Sequence, residues 1–150
     1  MLYRFYQPGD FAQLYAIEEL CFQPPVRFSR AYIRELTKSA DATTWVAEND
    51  GQLAGFAIVD FTPAAGAHIA YIQTIEVAPN YRRRGIASEL LRRIEDSTRD
   101  AGARTIWLHV AEGNAAAIHL YQTHDYLPQG RAENYYASGI AALIYGKSLE

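Results

Sequence analysis

Three consecutive arginines, Arg82, Arg83 and Arg84, stand directly before Gly85-Ile86-Ala87-Ser88, where a strand pattern gives way to a helix pattern. A helix start leaves backbone N–H groups unpaired, and the helix dipole adds positive potential there. Phosphate oxygens suit both features. Gly85 and Ala87 are small enough for a diphosphate to approach the backbone, and arginine side chains can pair with further phosphate oxygens. The stretch is neither of the common phosphate loops. It lacks the Lys-Ser/Thr of Gly-x-x-x-x-Gly-Lys-Ser/Thr and two of the glycines of Gly-x-Gly-x-x-Gly. The bland alternative is a solvated basic helix start with a glycine for the turn.

Further along, Asn114 and Tyr121 lie in Asn114-Ala115-Ala116-Ala117-Ile118-His119-Leu120-Tyr121. About two helical turns separate them, so both face the same way. A phenol positioned in this manner can donate a proton to a leaving group. The competing explanations are a helix cap for Asn114 and a core aromatic with a polar tip for Tyr121. Two strand residues can accept a proton. His109, in Trp107-Leu108-His109-Val110, shares a strand face with Thr105 and Trp107. Tyr71 is placed on the face of Gln73, Ile75 and Val77 by the same alternation. Neutral imidazole is available at pH 7, whereas tyrosine, near 10 in model peptides, needs help or a water. The alternatives are a hydrogen-bonded core histidine and a core aromatic. His68, His119 and His124 do not make a ligand set, and no metal is expected.

These residues need elements to hold them. Leu2–Gln7 reads as a strand, followed by a helix capped by Asp10, with Gln13 three residues on and Leu14, Ile17 and Cys21 along one face. Gln23–Phe28, with Pro24 and Pro25, cannot be regular helix. Ser29 caps a second short helix that turns Tyr32, Ile33 and Leu36 inward. Thr43–Glu48 and Leu53–Thr62 form a hairpin around Asn49-Asp50-Gly51. Pro63–Gly66 is a turn and His68–Val77 a strand. Gly85–Ala101 is a helix with Ile86, Leu90, Leu91 and Ile94 as its apolar stripe. Glu89/Arg93, Arg92/Asp96 and Glu95/Arg99 sit four apart on its wet side, and Gly102 stops it. Arg104–Val110 is a strand, Asn114–His124 a helix, and Tyr126–Arg131 and Gly139–Lys147 the closing strands. The alternation in the second half predicts a mixed α/β or α+β sandwich.

With 150 residues, 49% apolar and 21% charged, the chain suits one domain spanning 1–150 with a single core. A net charge of -3 gives no general drive toward nucleic acid or anionic membranes. Cys21 is the only cysteine, which rules out an internal disulfide. The amino terminus, Met1–Tyr6, lacks a long apolar signal core, and no run approaches the ~20 apolar residues of a membrane helix. A cytoplasmic protein, monomeric or weakly dimeric, is the expectation.

The turn resembles that of the Gcn5-related N-acetyltransferase (GNAT) superfamily, whose pattern Gln/Arg-x-x-Gly-x-Gly/Ala is met by Arg82, Gly85 and Ala87. The strand before it, Ile72–Val77 with Ala78-Pro79, and the segment Asn114–Tyr121 are similar too. The resemblance implies an α+β fold: a central mixed, mostly antiparallel, twisted sheet of about seven strands with four helices on its faces. It implies acetyl-coenzyme A as cosubstrate. Its pyrophosphate would lie on the turn from Arg82 to Ser88 and its pantetheine arm against Ile75, Glu76 and Val77. Asn114 would contact it, and Tyr121 would protonate the departing thiolate after direct attack by an amine in a ternary complex.

One branch of the protein N-terminal acetyltransferases has a tyrosine and a histidine at the positions of Tyr71 and His109, acting as bases through ordered water. The ribosomal-protein alanine acetyltransferases are similar through Asn114–Tyr121 but carry a glutamate at the position of His109. Glu76 and Glu112 stand next in line as bases. Asn134-Tyr135-Tyr136 matches the hairpin that lines the peptide groove in the N-terminal branches. Phe22, Pro24, Pro25 and Val26 would form the opposite wall. A peptide or protein amino terminus is the implied acceptor. Small amines (a polyamine, an aminoglycoside, an amino acid) or a non-catalytic coenzyme A sensor are the alternatives.

Overall fold

The computed structural model describes residues 1–61, 69–137 and 139–150. Seven strands run β1 (Leu2–Phe5), β2 (Ala42–Asn49), β3 (Gln52–Asp60), β4 (Ile69–Val77), β5 (Thr105–Ala111), β6 (Leu127–Ala132) and β7 (Ala142–Ser148). Four helices, α1 (Phe11–Cys21), α2 (Arg30–Lys38), α3 (Ile86–Asp100) and α4 (Ala115–Thr123), join them. The sheet order is β1-β2-β3-β4-β5-β7-β6. Every neighbouring pair is antiparallel except β4 and β5. The mostly antiparallel α+β sheet expected from the sequence is the one found. The turn at 63–66 and His68 lie outside the described residues.

Apolar alternation fills both sides of the sheet. Leu90, Leu91 and Ile94 of α3 pack with Ala57, Val59, Ile72 and Leu108 on one face. Leu14 and Ile17 of α1 and Ile33 of α2 pack with Phe56 and Ile58 on the other. The β2–β3 hairpin closes through Asp50 at φ 50° and Gly51 at φ 84°, the left-handed pair that a two-residue turn between twisted strands requires. Among the described residues, no helix is long and apolar enough to cross a membrane.

Local chemistry departs from expectation in four places. Asp10 does not cap α1. Its carboxylate instead accepts the Gln7 N–H at 2.8 Å and both terminal nitrogens of Arg4 in a bidentate, charge-assisted pair. Gln13, too, turns away from the helix start: its Oε1 accepts the Leu53 N–H at 2.9 Å. Tyr32 is not inward but 38% exposed. On α3, Glu95 is buried rather than wet. It takes Lys147 of β7 and the Tyr126 hydroxyl as partners, while Arg99 pairs with Asp96 and Arg92 with Glu89.

The feature that shapes the rest is a bulge in β4. Ile58 of β3 faces Thr74 and Val59 faces Ile72, so no residue of β3 stands opposite Gln73 in the register. Paired antiparallel residues share a face. Ile72, opposite Val59, therefore lies on the α3 side, and Thr74, opposite Ile58, on the α1 side. Tyr71 and Gln73 also lie on the α1/α2 side, where Gln73 meets Tyr32 of α2. Ile75 and Val77 pack toward α3. Tyr71 thus does not share a face with Ile75 and Val77, because the extra residue inverts the alternation.

The bulge coincides with a parting of strands. β4 and β5 pair from Ile69↔Thr105 to Ile72↔Leu108, yet they run on to Val77 and Ala111. Past the bulge the β5-facing edge of β4 is left open in a V.

Candidate active site

Three cavities meet along the V. The largest, about 1070 Å³, lies over the open edge of β4 and the start of α3 and is lined by Ile75, Glu76, Val77, Arg82, Arg83, Gly85, Ile86, Ala87 and Ser88. Asn114 and Tyr121 of the α4 segment close its far side, and Phe22, Pro24, Pro25 and Val26 its rim. A second cavity, about 320 Å³, opens on the α1/α2 face between Phe28, Tyr32, Tyr71, Trp107, His109, Tyr135 and Tyr136. A small junction of about 70 Å³ touches Gln73, Ile75, His109, Asn114, Tyr121 and Tyr136. The residues singled out in sequence therefore sort into two chambers joined at Tyr121 and His109. Phe22, Pro25 and Val26 line the large chamber, not the aromatic one. Phe22 and Val26 reach Tyr136 only at the junction.

At the helix start, Gly85 has φ 79°. This left-handed conformation costs an L-residue roughly 1–2 kcal/mol. No heavy atom stands within 4 Å of the Cβ it lacks, so the turn presents open backbone to the cavity. Ile86, Ala87 and Ser88 supply first-turn amides. The arginines are not three equivalent phosphate arms. Arg82 Nε–H donates to the Val77 carbonyl at 3.1 Å, and its Nη2 reaches Cys21 Sγ at 3.4 Å. Arg84 lies over the Tyr81 ring, 5.3 Å from its centroid, and does not line the cavity. Arg83 does line it. Ser88 is engaged by His124 Nε2 at 3.0 Å.

Asn114 caps α4 by accepting the Ala117 N–H at 3.2 Å while lining the large cavity. Tyr121 is 5% exposed, its ring 5.5 Å from that of Tyr126. Burial, and then the neighbouring Glu76, push its phenol above the ordinary value. It therefore holds a proton that a strong base in the cavity can take.

Across the junction, the Tyr71 hydroxyl lies 2.8 Å from His109 Nδ1, and the Tyr135 ring stacks on the imidazole at 4.2 Å. Burial lowers the His109 pKa, which favours neutral imidazole. Burial, followed by Tyr135, holds Tyr71 well above the usual phenol value. A phenol so held is a poor proton acceptor. The contact orients the imidazole, and in the tautomer that carries its proton on Nδ1 it leaves Nε2 with a free lone pair.

Neither rival carboxylate is a ready base. Glu112 is exposed and paired with Arg131 at 2.6 Å. Glu76 is 3% exposed, accepts from the Thr74 hydroxyl at 2.7 Å, and faces the fully buried Glu18 of α1. Glu18 in turn accepts the Phe28 N–H at 3.0 Å. One oxygen of each carboxyl has no hydrogen-bond partner among the described residues. Burial and Glu18 raise Glu76 well above the carboxylate range, so Glu76 holds a proton. Sequence reasoning missed Glu18, Asp60 and Tyr32. A charged residue within an apolar stripe was the only available signal for Glu18. Asp60 offered no more than its place at the end of an apolar strand.

A family model described as the acetyltransferase (GNAT) family matches residues 11–126. The chain belongs to the GNAT family. The seven-stranded sheet and four helices are the GNAT fold, and the crystal structure of the ribosomal-protein-S18-alanine N-acetyltransferase from Escherichia coli superposes with a TM-score of 0.84. That comparison has 25% identity and covers 99% of this chain and 94% of that one. Among curated proteins, the GNAT chain is 44% identical over 86 residues to streptothricin acetyltransferase of Streptomyces lavendulae, covering 57% of this chain and 44% of that protein. It is 34% identical over 87 residues to the ribosomal protein bS18-alanine N-acetyltransferase of Escherichia coli, covering 58% of this chain and 56% of that protein. The match thus spans about half the length of these curated relatives. Within the GNAT frame, the open β4 edge, the α3 start and Tyr121 fall in one chamber, and the imidazole–phenol pair in the next.

Proposed function

We propose that the chain transfers the acetyl group of acetyl-coenzyme A to a free α-amine of a peptide or protein. The observation that carries this is the placement of Tyr121 and His109 on either side of the junction between the two chambers. The first-turn amides of α3 and the Arg83 side chain would hold the pyrophosphate. The edge of β4 at Ile75–Val77, which faces no strand past Ile72, would receive the pantetheine amides on its backbone, with the Val77 carbonyl already held by Arg82. The acceptor enters through the aromatic chamber. His109 Nε2, directly or through one water, takes the ammonium proton. The amine nitrogen then bonds to the thioester carbonyl carbon, the C–S bond breaks, and the departing thiolate takes the Tyr121 proton; the second nitrogen proton returns through water to the Tyr121 phenolate, and His109 gives its proton up to solvent. No step needs a metal.

An α-amine, near 7.7–8.0, matches a neutral imidazole better than a lysine amine near 10.4, and a relative named for alanine N-acetylation points the same way. A small amine is the second reading, favoured by the similarity to streptothricin acetyltransferase and by Asp60 in the aromatic chamber. An acceptor screen decides between them. Peptides with varied first residues, lysine peptides with blocked amino termini, and polyamines would be offered together with acetyl-coenzyme A. Faster reaction of free-terminus peptides is expected; faster reaction of blocked lysine peptides or polyamines overturns the α-amine assignment.

Two variants test the assigned parts. Because burial lowers the His109 pKa, the acid limb of kcat/KM is expected below the usual imidazole value near 6.5, with a plateau at neutral pH. His109→Ala should remove that limb as well as lower the rate, and a retained limb would place the base elsewhere. Gly85→Val forces a β-branched side chain into a left-handed site over the amides. Calorimetry on the folded variant is expected to show acetyl-coenzyme A affinity reduced about tenfold or more, a loss of ~1.4 kcal/mol. Unchanged affinity would remove the turn from the cosubstrate site.

A further inference from the structure

We propose that His124 is a positioning residue of the cosubstrate site: it aims the Ser88 hydroxyl at the diphosphate, and arrival of that anion draws a proton onto the imidazole. This rests on the acetyl-transfer assignment above and adds to it a residue that stands behind the chamber wall. Ser88 lines the large chamber and His124 does not. His124 closes α4 as its C-cap, and its Nε2 lies 3.0 Å from Ser88 Oγ. Ser88 is the third residue of α3. Its hydroxyl therefore stands within the first turn, among the amides that would hold the diphosphate.

The contact between imidazole and hydroxyl has two directions, with opposite consequences. A serine hydroxyl has one hydrogen to give. Where the ring carries its proton on Nδ1 alone, Nε2 accepts that hydrogen and turns it away from the chamber. Where Nε2 is protonated, it donates to Oγ, and the serine O–H is released to a phosphate oxygen. The Nε2–H tautomer and the imidazolium both do this, and a neighbouring anion favours the imidazolium. Ligand and ring thus select the same arrangement.

The surroundings of His124 nearly balance. Arg92 of α3 and Lys147 of β7 oppose a charge on the ring, while Glu95 of α3 and the adjacent Asp125 favour one. Glu95 is already held by Lys147 and the Tyr126 hydroxyl. The C-terminus of α4 favours a cation, and the start of α3 disfavours it. Burial decides, lowering His124 below the usual imidazole value, so the free protein holds a neutral ring at neutral pH. A diphosphate over the first turn of α3 offsets the repulsion at that helix start and raises His124 in the complex. Affinity is then weakest at high pH. It increases as pH falls through the value in the complex and levels off below the value in the free protein.

Calorimetry with 3′-dephospho-coenzyme A tests this, because that probe lacks the phosphate monoester that itself titrates near about pH 6. Wild-type affinity is expected to rise about tenfold from about pH 8 to about pH 5, the equivalent of a one-unit shift on binding. The binding heat at neutral pH should depend on the buffer, as proton uptake requires. His124→Gln keeps a donor for Ser88 but cannot titrate, so its affinity should lose the pH dependence. A slope retained in His124→Gln would belong to another group, with His119 of the chamber wall next in line, and would overturn the proposal. An NMR titration of the wild-type ring decides the matter even if the variant does not fold. The His124 signals should titrate at higher pH with the probe bound than without it. Unmoved signals overturn the proposal while the cosubstrate assignment stands. Failure of both this probe and coenzyme A to bind would overturn that assignment as well.

Discussion

Tyr121→Phe is expected to lower the turnover of acetyl transfer by about 100- to 10,000-fold, the usual worth of a positioned general acid, with acetyl-coenzyme A affinity nearly intact. The ring is buried against Tyr126 and lines the large chamber, so removing the hydroxyl leaves both packing and cavity shape in place. Burial and Glu76 raise the phenol above its ordinary value, which ensures that the proton is present when the thiolate forms. Single-turnover kinetics with saturating cosubstrate would report the chemical step, and calorimetry the binding. A drop below about threefold, with normal affinity, would mean that the thiolate leaves without this proton or takes it from another donor.

The largest effect on stability should come from Lys147→Met. Lys147 reaches both oxygens of the Glu95 carboxylate at 3.2 Å, and the Tyr126 hydroxyl donates to one of them at 2.8 Å. The Glu95 side chain is 7% exposed and Lys147 20%. A surface pair of this kind would contribute under about 1 kcal/mol. Here, removing the ammonium leaves a buried carboxylate with a single neutral donor, and breaking a buried pair costs ~3–5 kcal/mol. For a chain of this size the melting temperature should fall by roughly 10 °C. Adding Glu95→Leu should recover much of the loss, since the stranded charge is then gone. A Lys147→Met protein that melts within a degree or two of wild type would show that water reaches Glu95.

Local pattern placed the helices, most strands and the glycine turn at Gly85 within a few residues, because helix starts, hairpin turns and apolar stripes are written in neighbouring residues. It grouped Asn114 with Tyr121 correctly, since one helix holds both. It failed where the deciding partner is distant. Glu95 reads as one more exposed helix charge until Lys147, on β7, is brought beside it. Asp60 and Tyr32 are linked through Gln73, a connection that the sequence separation of all three conceals. The bulge itself left no trace, because Tyr71–Val77 alternates acceptably as an unbroken strand. The extra residue is visible only against β3. The alternation that set Tyr71 with Ile75 was sound for a regular strand, and the sheet pairing overrode it.

The inverted alternation at Gln73 makes β4 two modules in series. Upstream, odd-numbered positions face the aromatic chamber; downstream, the side chains of Ile75 and Val77 turn to the α3 core while the backbone edge no longer pairs with β5. Deleting Gln73 would not merely shorten the strand. It would rotate one half against the other, driving the Ile75 and Val77 side chains toward α1 or swinging Tyr71 into the α3 core. Point changes at Tyr71 or Gln73 carry no such penalty for the downstream half. On the proposed assignment, acceptor chemistry can then change by substitution in the upstream half, while a change in the strand's length disturbs both halves at once.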